Sequence, residues 1–317
     1  MIAFNILNIG RYKLAAGCVG SAKRAIEISA KYANERKQFN RPISQFPLIQ
    51  EKLAKMAAKT YALESMVYRT GGYFEESLSK VVSAEGADVA KAIAEYAIEC
   101  SITKVFGSEV LDYVVDEGVQ IHGGYGFMQE YEIENMYRDS RINRIFEGTN
   151  EINRLLIPAT LMRKTMKGEL PLLQVVQGLQ EELMMMMPSL PEEEPALLEV
   201  EAERIEMIKK LFLMAAGLAV EKYQMELEKE QEILSEVADL AIEIFAMESA
   251  WLRAKKALDK EGEEKALPKI ELTRAYIYEA LPRIEAKGRR ILAAMEEGDM
   301  LRTQLSILRK LTRHDPI

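Results

Sequence analysis

The sequence predicts an all-α fold, and three observations support this class. Prolines are absent from residues 48 to 157, so the strongest helix breaker does not interrupt that stretch. The alternation of apolar and polar residues that marks a half-buried strand is absent from the sequence. Apolar residues instead recur at intervals of three and four, the pattern of a helix that buries one face: Leu48, Ile49, Leu53, Met56, Ala57, Leu63 and Val67.

The predicted elements follow one another along the chain with short connections. The third long helix ends at a cluster of glycines, and Thr149 or Asn150 could cap the last helix of the first half. The second half is rich in Glu, Lys, Ala, Leu and Met, as long helices are. We predict helices at about 9–34, 45–77 and 85–116, a glycine-rich loop at 118–127, helices near 131–140 and 149–167, and helical stretches at 196–260 and from Pro268 to 312.

A domain boundary is predicted between Pro188 and Pro195, where three prolines and three consecutive glutamates interrupt the apolar periodicity. We therefore expect a helical domain at 1–165, a linker at 166–195 and a second helical domain at 196–317. The length of 317 residues agrees with two domains, because a single domain averages about 150 residues.

Composition excludes several classes of function. The 42 Lys and Arg against 50 Asp and Glu give a net charge of −8, which argues against a nucleic-acid surface. Two cysteines and two histidines supply neither a metal site nor a disulfide framework. The longest apolar run, Leu211 to Val220, is half of the roughly 20 residues that span a bilayer, and Met1 to Leu7 lacks the basic flank of a secretory signal. We expect a cytoplasmic protein whose chemistry rests on carboxylates, backbone groups or a cofactor.

The first candidate site is the segment Arg141-Ile-Asn-Arg-Ile-Phe-Glu-Gly-Thr-Asn-Glu-Ile-Asn-Arg154, in which Glu147 stands between an apolar pair and a glycine. A carboxylate held against Ile145 and Phe146 would be desolvated, which would make it a stronger base. A solvated glutamate in a surface loop explains the same residues. The segment alone leaves both interpretations open.

The second candidate is Gln120-Ile-His-Gly-Gly-Tyr-Gly-Phe127, with three glycines in four positions. Glycines let a ligand approach the backbone closely, and the amides could hold a pyrophosphate. The segment lacks the strand and the G-x-G-x-x-G spacing of a Rossmann fingerprint, and a plain turn between helices uses the same residues. His122 is predicted to be a loop or packing residue and not a catalyst, because no paired acid or nucleophile stands beside it.

The third candidate, Tyr32-Ala-Asn-Glu-Arg-Lys-Gln-Phe-Asn-Arg-Pro-Ile43, closes the first long helix. Arg36 and Lys37 suit the negative end of the helix dipole. Arg36 equally offers a fork of donors to a phosphate, and Phe39 offers a flat apolar face.

In this order, and preceded by Asn8-Ile-Gly-Arg-Tyr-Lys-Leu-Ala-Ala-Gly17, the three segments resemble the C-terminal domain of the acyl-CoA dehydrogenases over about Phe4 to Arg163. Phe46-Pro-Leu-Ile-Gln-Glu-Lys-Leu-Ala-Lys-Met56 is most similar to the very-long-chain branch, which carries an extra C-terminal helical domain. Residues 170–317 are similar to that domain in length and character. The resemblance therefore implies a four-helix bundle followed by a second helical bundle.

The resemblance also implies a reaction: dehydrogenation of a fatty acyl-CoA to the trans-2-enoyl-CoA, in which a glutamate removes the α-proton and FAD accepts the β-hydride. Glu147 matches the position of that base. Some relatives carry the base on an earlier helix, at the position that is Gly10 here. Asn8 and Arg11 match residues near the CoA end of the substrate, and Gly148 would lie against the thioester.

The resemblance assigns FAD contacts to three groups of residues and implies a homodimer, because some of the contacts reach a neighbouring subunit. An electron-transfer flavoprotein is the implied acceptor. The groups are Arg36, Gln38 and Phe39 on the neighbouring FAD, Gln120, Gly123 and Gly124 around its pyrophosphate and adenosine, and Thr149 and Glu151 after the base.

Family members carry an N-terminal helical domain and a middle β domain that have no counterpart in this sequence. We therefore expect a fragment that binds FAD poorly on its own. Two alternatives use the same residues: a non-catalytic helical module that binds partners, and an acyl-CoA oxidase that passes electrons to oxygen. The run Met184 to Met187 indicates either weak peripheral membrane contact or a loosely packed linker.

Overall fold

A computed structural model of the chain describes residues 2–81, 86–185 and 195–313. The described part is built from α-helices, short 3-10 turns and one two-stranded hairpin, which confirms the all-α prediction. The helices are α1 Ile2–Glu35, α2 Pro47–Ser79, α3 Gly86–Ala94, α4 Ala97–His122, α5 Glu132–Ser140, α6 Asn150–Met166, α7 Leu172–Met185, α8 Glu199–Tyr223, α9 Gln231–Glu261, α10 Glu263–Met295 and α11 Gly298–Leu311.

The chain separates into two compact units. The first comprises Met1–Asn153 and Glu271–Tyr276, and the second comprises Arg154–Ile270 and Ile277–Ile317. In the first unit α1, α2 and α4 pack on one another around a core of small and medium side chains. Gly107 lets α4 approach α1, since a Cβ at that position would lie 3.2 Å from the Cα of Ala15.

The predicted loop between α1 and α2 contains a hairpin that the sequence did not indicate. Strand β1, Lys37–Gln38, pairs antiparallel with β2, Arg41–Pro42. The turn residues Phe39 and Asn40 both have positive φ, 51° and 64°, as a type I′ turn requires. Asn tolerates this region, but Phe does so rarely, and no glycine marks the turn.

The glycine-rich loop predicted at 118–127 is mostly helical. Helix α4 continues through Gly118 to His122, and Gly123–Phe127 forms a 3-10 turn. Gly118 serves packing, because a Cβ there would lie 2.6 Å from Cδ1 of Ile133. The helix predicted at 85–116 is instead two helices, α3 and α4, that meet at residues 95–96.

The second unit differs from the prediction in two places. The range 166–195, predicted as a linker, contains α7. Val176 of α7 packs against Gly217 of α8, where an added Cβ would lie 2.6 Å from Val176 Cγ1. The break predicted near Pro268 is wrong, because α10 runs through both Pro268 and Pro282. The Pro188–Pro195 boundary and the Met184–Met187 run lie largely outside the described residues.

An ion-pair network joins α6, α9 and α10 in the second unit. Asp239 accepts from Arg154 Nε at 2.7 Å and from Lys287 Nζ at 2.5 Å. Lys287 also pairs with Glu236, which accepts from Arg290 at 2.8 Å. Within the described ranges, no helix is both long and apolar enough to cross a membrane.

Candidate active site

Glu147 lies on the loop that joins the 3-10 turn Arg141–Arg144 to α6. Its φ is 59° and that of the following Gly148 is 82°. A left-handed conformation is ordinary for glycine but costs energy for glutamate, on the order of 1 kcal/mol or more. The surrounding structure must therefore hold this loop in place.

Three interior side chains provide that hold by donating to three consecutive backbone carbonyls. Arg11 Nε donates to the oxygen of Glu147 at 3.1 Å. Lys104 Nζ donates to that of Gly148 at 2.8 Å. The Asn153 amide nitrogen lies 3.4, 2.8 and 3.0 Å from the carbonyl oxygens of Glu147, Gly148 and Thr149. Since the carbonyls point inward, the loop cannot rotate without losing these bonds.

The Glu147 carboxylate rests on the backbone of α1 at Gly10. An ideal Cβ at Gly10 would lie 2.4 Å from Oε2, 2.6 Å from Cδ and 2.8 Å from Oε1. Only glycine leaves room for the carboxyl group there. Among the described residues, none donates a hydrogen bond to this carboxylate, so its lone pairs are free to accept a proton. The missing side chain of Gly10 thus leaves the space that the Glu147 carboxyl group fills.

The apolar residues next to Glu147, predicted to desolvate its carboxylate, are themselves partly exposed to solvent, and Glu147 is partly buried. Ile145 and Phe146 are each nearly half exposed, at 47% and 46%. The helix cap is as predicted, since Thr149 Oγ1 accepts from the amide of Ile152 at 3.3 Å. The other candidate cap, Asn150, is buried instead, and Glu151 is exposed.

Asn8 and Arg11, the residues predicted near the substrate, are both 5% exposed. Asn8 Oδ1 accepts from Arg11 Nη1 at 3.2 Å, which orients the guanidinium toward Glu147. Burial lowers the pKa of Arg11, and the nearby charge of Glu147 acts in the opposite direction. Together with Gly148, these residues form one cluster around the Glu147 loop.

The other predicted residues form a second cluster at the far end of α4. The Arg36 guanidinium lies over the Tyr125 ring at 5.6 Å from its centroid, which joins the hairpin segment to the glycine turn. Gln38, Gln120, Gly123 and Gly124 are exposed, and Phe39 is 86% exposed. An ideal Cβ added at either glycine would have no atom of the described residues within 4 Å, apart from its neighbours along the chain. The backbone here is open to a ligand.

The two clusters are far apart along α4. Lys104 contacts the Glu147 loop and Gly123 ends the same helix. At a rise of 1.5 Å per residue, the 19 residues between them correspond to about 28 Å. The structure therefore brings the predicted residues together as two groups and not as one site.

His122 is a packing residue, as predicted. It is 6% exposed, its ring stacks on Tyr32 at 4.3 Å between centroids, and its Nδ1 lies 2.7 Å from the Gly118 oxygen. Burial lowers its pKa. No group of three or more potential metal ligands occurs among the residues that the structure describes.

Sequence reasoning missed Lys104 and Asn153. Both are fully buried, and both hold the Glu147 loop. A signal for Lys104 exists, because it is the single charge in the apolar stretch Ile102 to Phe106 of a buried helix. A charged residue at such a position is expected to have a specific partner.

Comparisons with known proteins agree with this architecture. A family model described as "Acyl-CoA dehydrogenase, C-terminal domain" matches residues 2–162, and a second with the same description matches 207–310. The first model covers more than half of the chain, and this assigns the class of protein: the chain belongs to the acyl-CoA dehydrogenase family.

Particular relatives support the assignment. A probable acyl-CoA dehydrogenase of Bacillus subtilis is 59% identical over 321 residues, which cover 100% of this chain and 53% of that protein. A very long-chain specific mitochondrial enzyme of Rattus norvegicus is 42% identical over 156 residues, 49% of this chain and 22% of its own length. A Bacillus anthracis acyl-CoA dehydrogenase crystallised with FAD is similar with a TM-score of 0.96 and 63% identity, covering 100% of this chain and 54% of that one. The chain spans about half the length of the two Bacillus proteins.

Proposed function

We propose that this chain forms the base-bearing part of an FAD-dependent dehydrogenase that converts a fatty acyl-CoA to the trans-2-enoyl-CoA, with Glu147 as the base. The observation that carries the proposal is the Glu147 loop. A glutamate at φ 59° is fixed by interior donors to its own and the next carbonyl, with a carboxylate that accepts no hydrogen bond from the described residues. A fixed carboxylate with free lone pairs suits proton abstraction.

The chain's own residues would carry out the following steps. Glu147 takes the α-proton of the thioester, while Gly148 lies against the thioester group. Arg11, oriented by Asn8, holds the loop and places positive charge beside the site. Bound FAD would supply the acceptor for the hydride of the β-carbon, whose two electrons leave the substrate as the carbon–carbon double bond forms.

The residues of the second cluster fit FAD. Open backbone at Gly123 and Gly124 suits a pyrophosphate, the exposed Arg36 supplies a charge for it, and Phe39 supplies an apolar surface for a ring system. Gln38 and Gln120 offer exposed amides at the same end, and Thr149 and Glu151 stand beside the base.

The separation of about 28 Å along α4 between the clusters supports the proposal that they serve two different FAD molecules, one of them held by a second subunit. We therefore propose a homodimer. We propose an electron-transfer flavoprotein as the acceptor of the electrons, in keeping with the family.

The proposal is tested by Glu147→Gln in a chain extended to the length of its relatives. Gln keeps the size of the side chain over Gly10 but cannot take a proton, so kcat with palmitoyl-CoA should fall by about 10²–10⁴. The matched control is Glu130→Gln, an exposed glutamate in the same unit, which should keep the wild-type kcat. Unchanged turnover in Glu147→Gln would remove Glu147 as the base.

A second test uses the 317-residue chain alone. We expect purified chain to show little flavin absorbance and no dehydrogenation, because only part of each proposed FAD contact is present. Stoichiometric FAD together with palmitoyl-CoA turnover would contradict this expectation. Peroxide release by the extended enzyme would favour an oxidase over a dehydrogenase.

A further inference from the structure

Lys104 is a fully buried lysine that no step of the proposed reaction uses. Its side chain is 0% exposed on α4. Its Nζ donates to the Gly148 oxygen at 2.8 Å and to Asn150 Oδ1 at 2.7 Å. Burying an ammonium is costly unless its protons are bonded, so the position of this lysine requires these partners.

The bonds of Lys104 hold the loop on the C-terminal side of Glu147. Gly148 follows Glu147 directly, and Asn150 is the first residue of α6. The Asn150 side chain is itself fixed, since it accepts from Ser108 Oγ at 3.2 Å and donates to Ser108 Oγ and Glu109 Oε1, both at 3.0 Å. A continuous hydrogen-bonded network therefore runs from α4 to the base.

We propose that Lys104 is a positioning residue: its charged ammonium holds Gly148 and Asn150, and loss of its proton loosens the backbone that carries Glu147. The inference rests on the proposed function only in calling Glu147 the base. Charge-assisted hydrogen bonds are about twice as strong as neutral ones. A neutral amine at this position therefore holds the loop more weakly than the ammonium does.

The charged and titratable groups that face Lys104 come from three helices. Arg11 and Cys18 lie on α1, Glu109 on α4 and Glu151 on α6. Burial, and then the positive charge of Arg11, lower the pKa of Lys104 to about 8, against the opposing effects of the other three groups. The loss of the proton thus falls at mildly alkaline pH.

The first experiment measures hydrogen exchange of the 317-residue chain by mass spectrometry, in peptides that cover residues 145–155. After correction for intrinsic rates, protection in the wild type should fall about tenfold from one pH unit below the Lys104 pKa to one unit above it. In Lys104→Met, the segment 145–155 should show the same low protection at both pH values. Carbon-13 NMR of labelled lysine would follow the Lys104 titration directly, with its signal identified by its loss in Lys104→Met.

Two further variants separate positioning from general stability. Val114→Ala removes volume from the core at a fully buried site ten residues further along α4, and should lower the melting temperature without changing the exchange of 145–155. Glu109→Gln keeps an acceptor for Asn150 but removes a negative charge that raises the Lys104 pKa. It should move the loss of protection to lower pH, and it remains informative if Lys104→Met fails to fold.

Wild-type protection of 145–155 in Lys104→Met, or equal loosening of that segment in Val114→Ala, overturns the inference. In the extended enzyme, Lys104→Met should lower kcat at least tenfold more than it changes KM, because the base is misplaced and the substrate is still bound. Normal turnover in Glu147→Gln would instead refute the proposed function and leave the exchange results as they are.

Discussion

Substituting Gly10 by alanine should separate stability from activity. Gly10 lies in the interior of α1, and the nearest atoms to an added Cβ are Oε2, Cδ and Oε1 of Glu147, at 2.4, 2.6 and 2.8 Å. These atoms form the free end of a flexible side chain, so the carboxylate can move away. We expect the helix to accept the alanine and the carboxylate to leave its place.

The magnitudes follow from the geometry. An alanine in a helix interior is more stable than a glycine by about 0.5–1 kcal/mol, which corresponds to a rise in melting temperature of about 1–4 °C for a unit of this size. Relief of the 2.4 Å contact to Oε2 requires a shift of about 1 Å to reach an ordinary van der Waals distance. A displacement of about 1 Å at a reacting group is expected to lower kcat by about 10².

Two assays measure the two effects. Thermal unfolding of the 317-residue chain by circular dichroism gives the stability, and palmitoyl-CoA oxidation by the extended enzyme gives kcat and KM. The matched control is Gly17→Ala on the same helix, where an added Cβ meets no atom within 4 Å. Gly17→Ala should show the same rise in melting temperature and a wild-type kcat.

The reasoning would be refuted if Gly10→Ala kept the wild-type kcat. That result would mean that the carboxylate does not rest over Gly10 in the working enzyme. A melting temperature several degrees below wild type would equally contradict it, because it would show that the Glu147 side chain cannot give way.

Two other predictions concern parts of the molecule outside this loop. Because burial lowers the pKa of His122, the unfolded chain takes up a proton more readily, and stability should fall as pH drops below about 6.5, the ordinary histidine value. His122→Phe keeps the stacking on Tyr32 and should reduce the fall of the melting temperature below pH 6.5. If the melting temperature falls as much as in the wild type, other groups cause the loss of stability. Asp239→Asn leaves Arg154 and Lys287 without their shared carboxylate and should cost about 1–3 kcal/mol. Urea unfolding followed by the fluorescence of the single tryptophan, Trp251 in the second unit, measures that loss. A cost below about 0.5 kcal/mol would mean that the network stabilises the unit no more than an exposed ion pair does.

The helical architecture was predictable from the sequence because periodicity reports burial directly. Met56, Leu63 and Val67 of the predicted stripe are buried along α2, as their spacing indicates, whereas Leu48 at the start of that helix is 73% exposed. The prediction was wrong at Gly118, which was assigned to the loop after the helix. Gly118 lies within α4, and its missing Cβ makes room for Ile133. A single sequence does not distinguish a glycine needed for its backbone from one needed for its small size.

The hairpin after α1 illustrates a second limit. A turn with positive φ at Phe39 and Asn40 carries no local signal, because the preferred residues at such positions are Asn and Gly in that order. Its geometry instead presents Phe39 to solvent beside Arg36. The sequence offered Phe39 as a flat apolar face, but it did not indicate the turn that exposes this residue.

The candidate site shows why Glu147 could be singled out from the sequence while the residues that hold it could not. Glu147 is identified by its neighbours along the chain, but its conformation depends on Arg11, Lys104 and Asn153, which come from three different helices. A left-handed glutamate that costs on the order of 1 kcal/mol or more persists because its own carbonyl and the next two are each bonded to an interior donor. The strain is the consequence of a loop whose carbonyls face the core, and that orientation in turn leaves the carboxylate to lie on Gly10. The placement of Glu147 therefore depends on buried polar residues that are distant in sequence, and a sequence motif around Glu147 does not contain them.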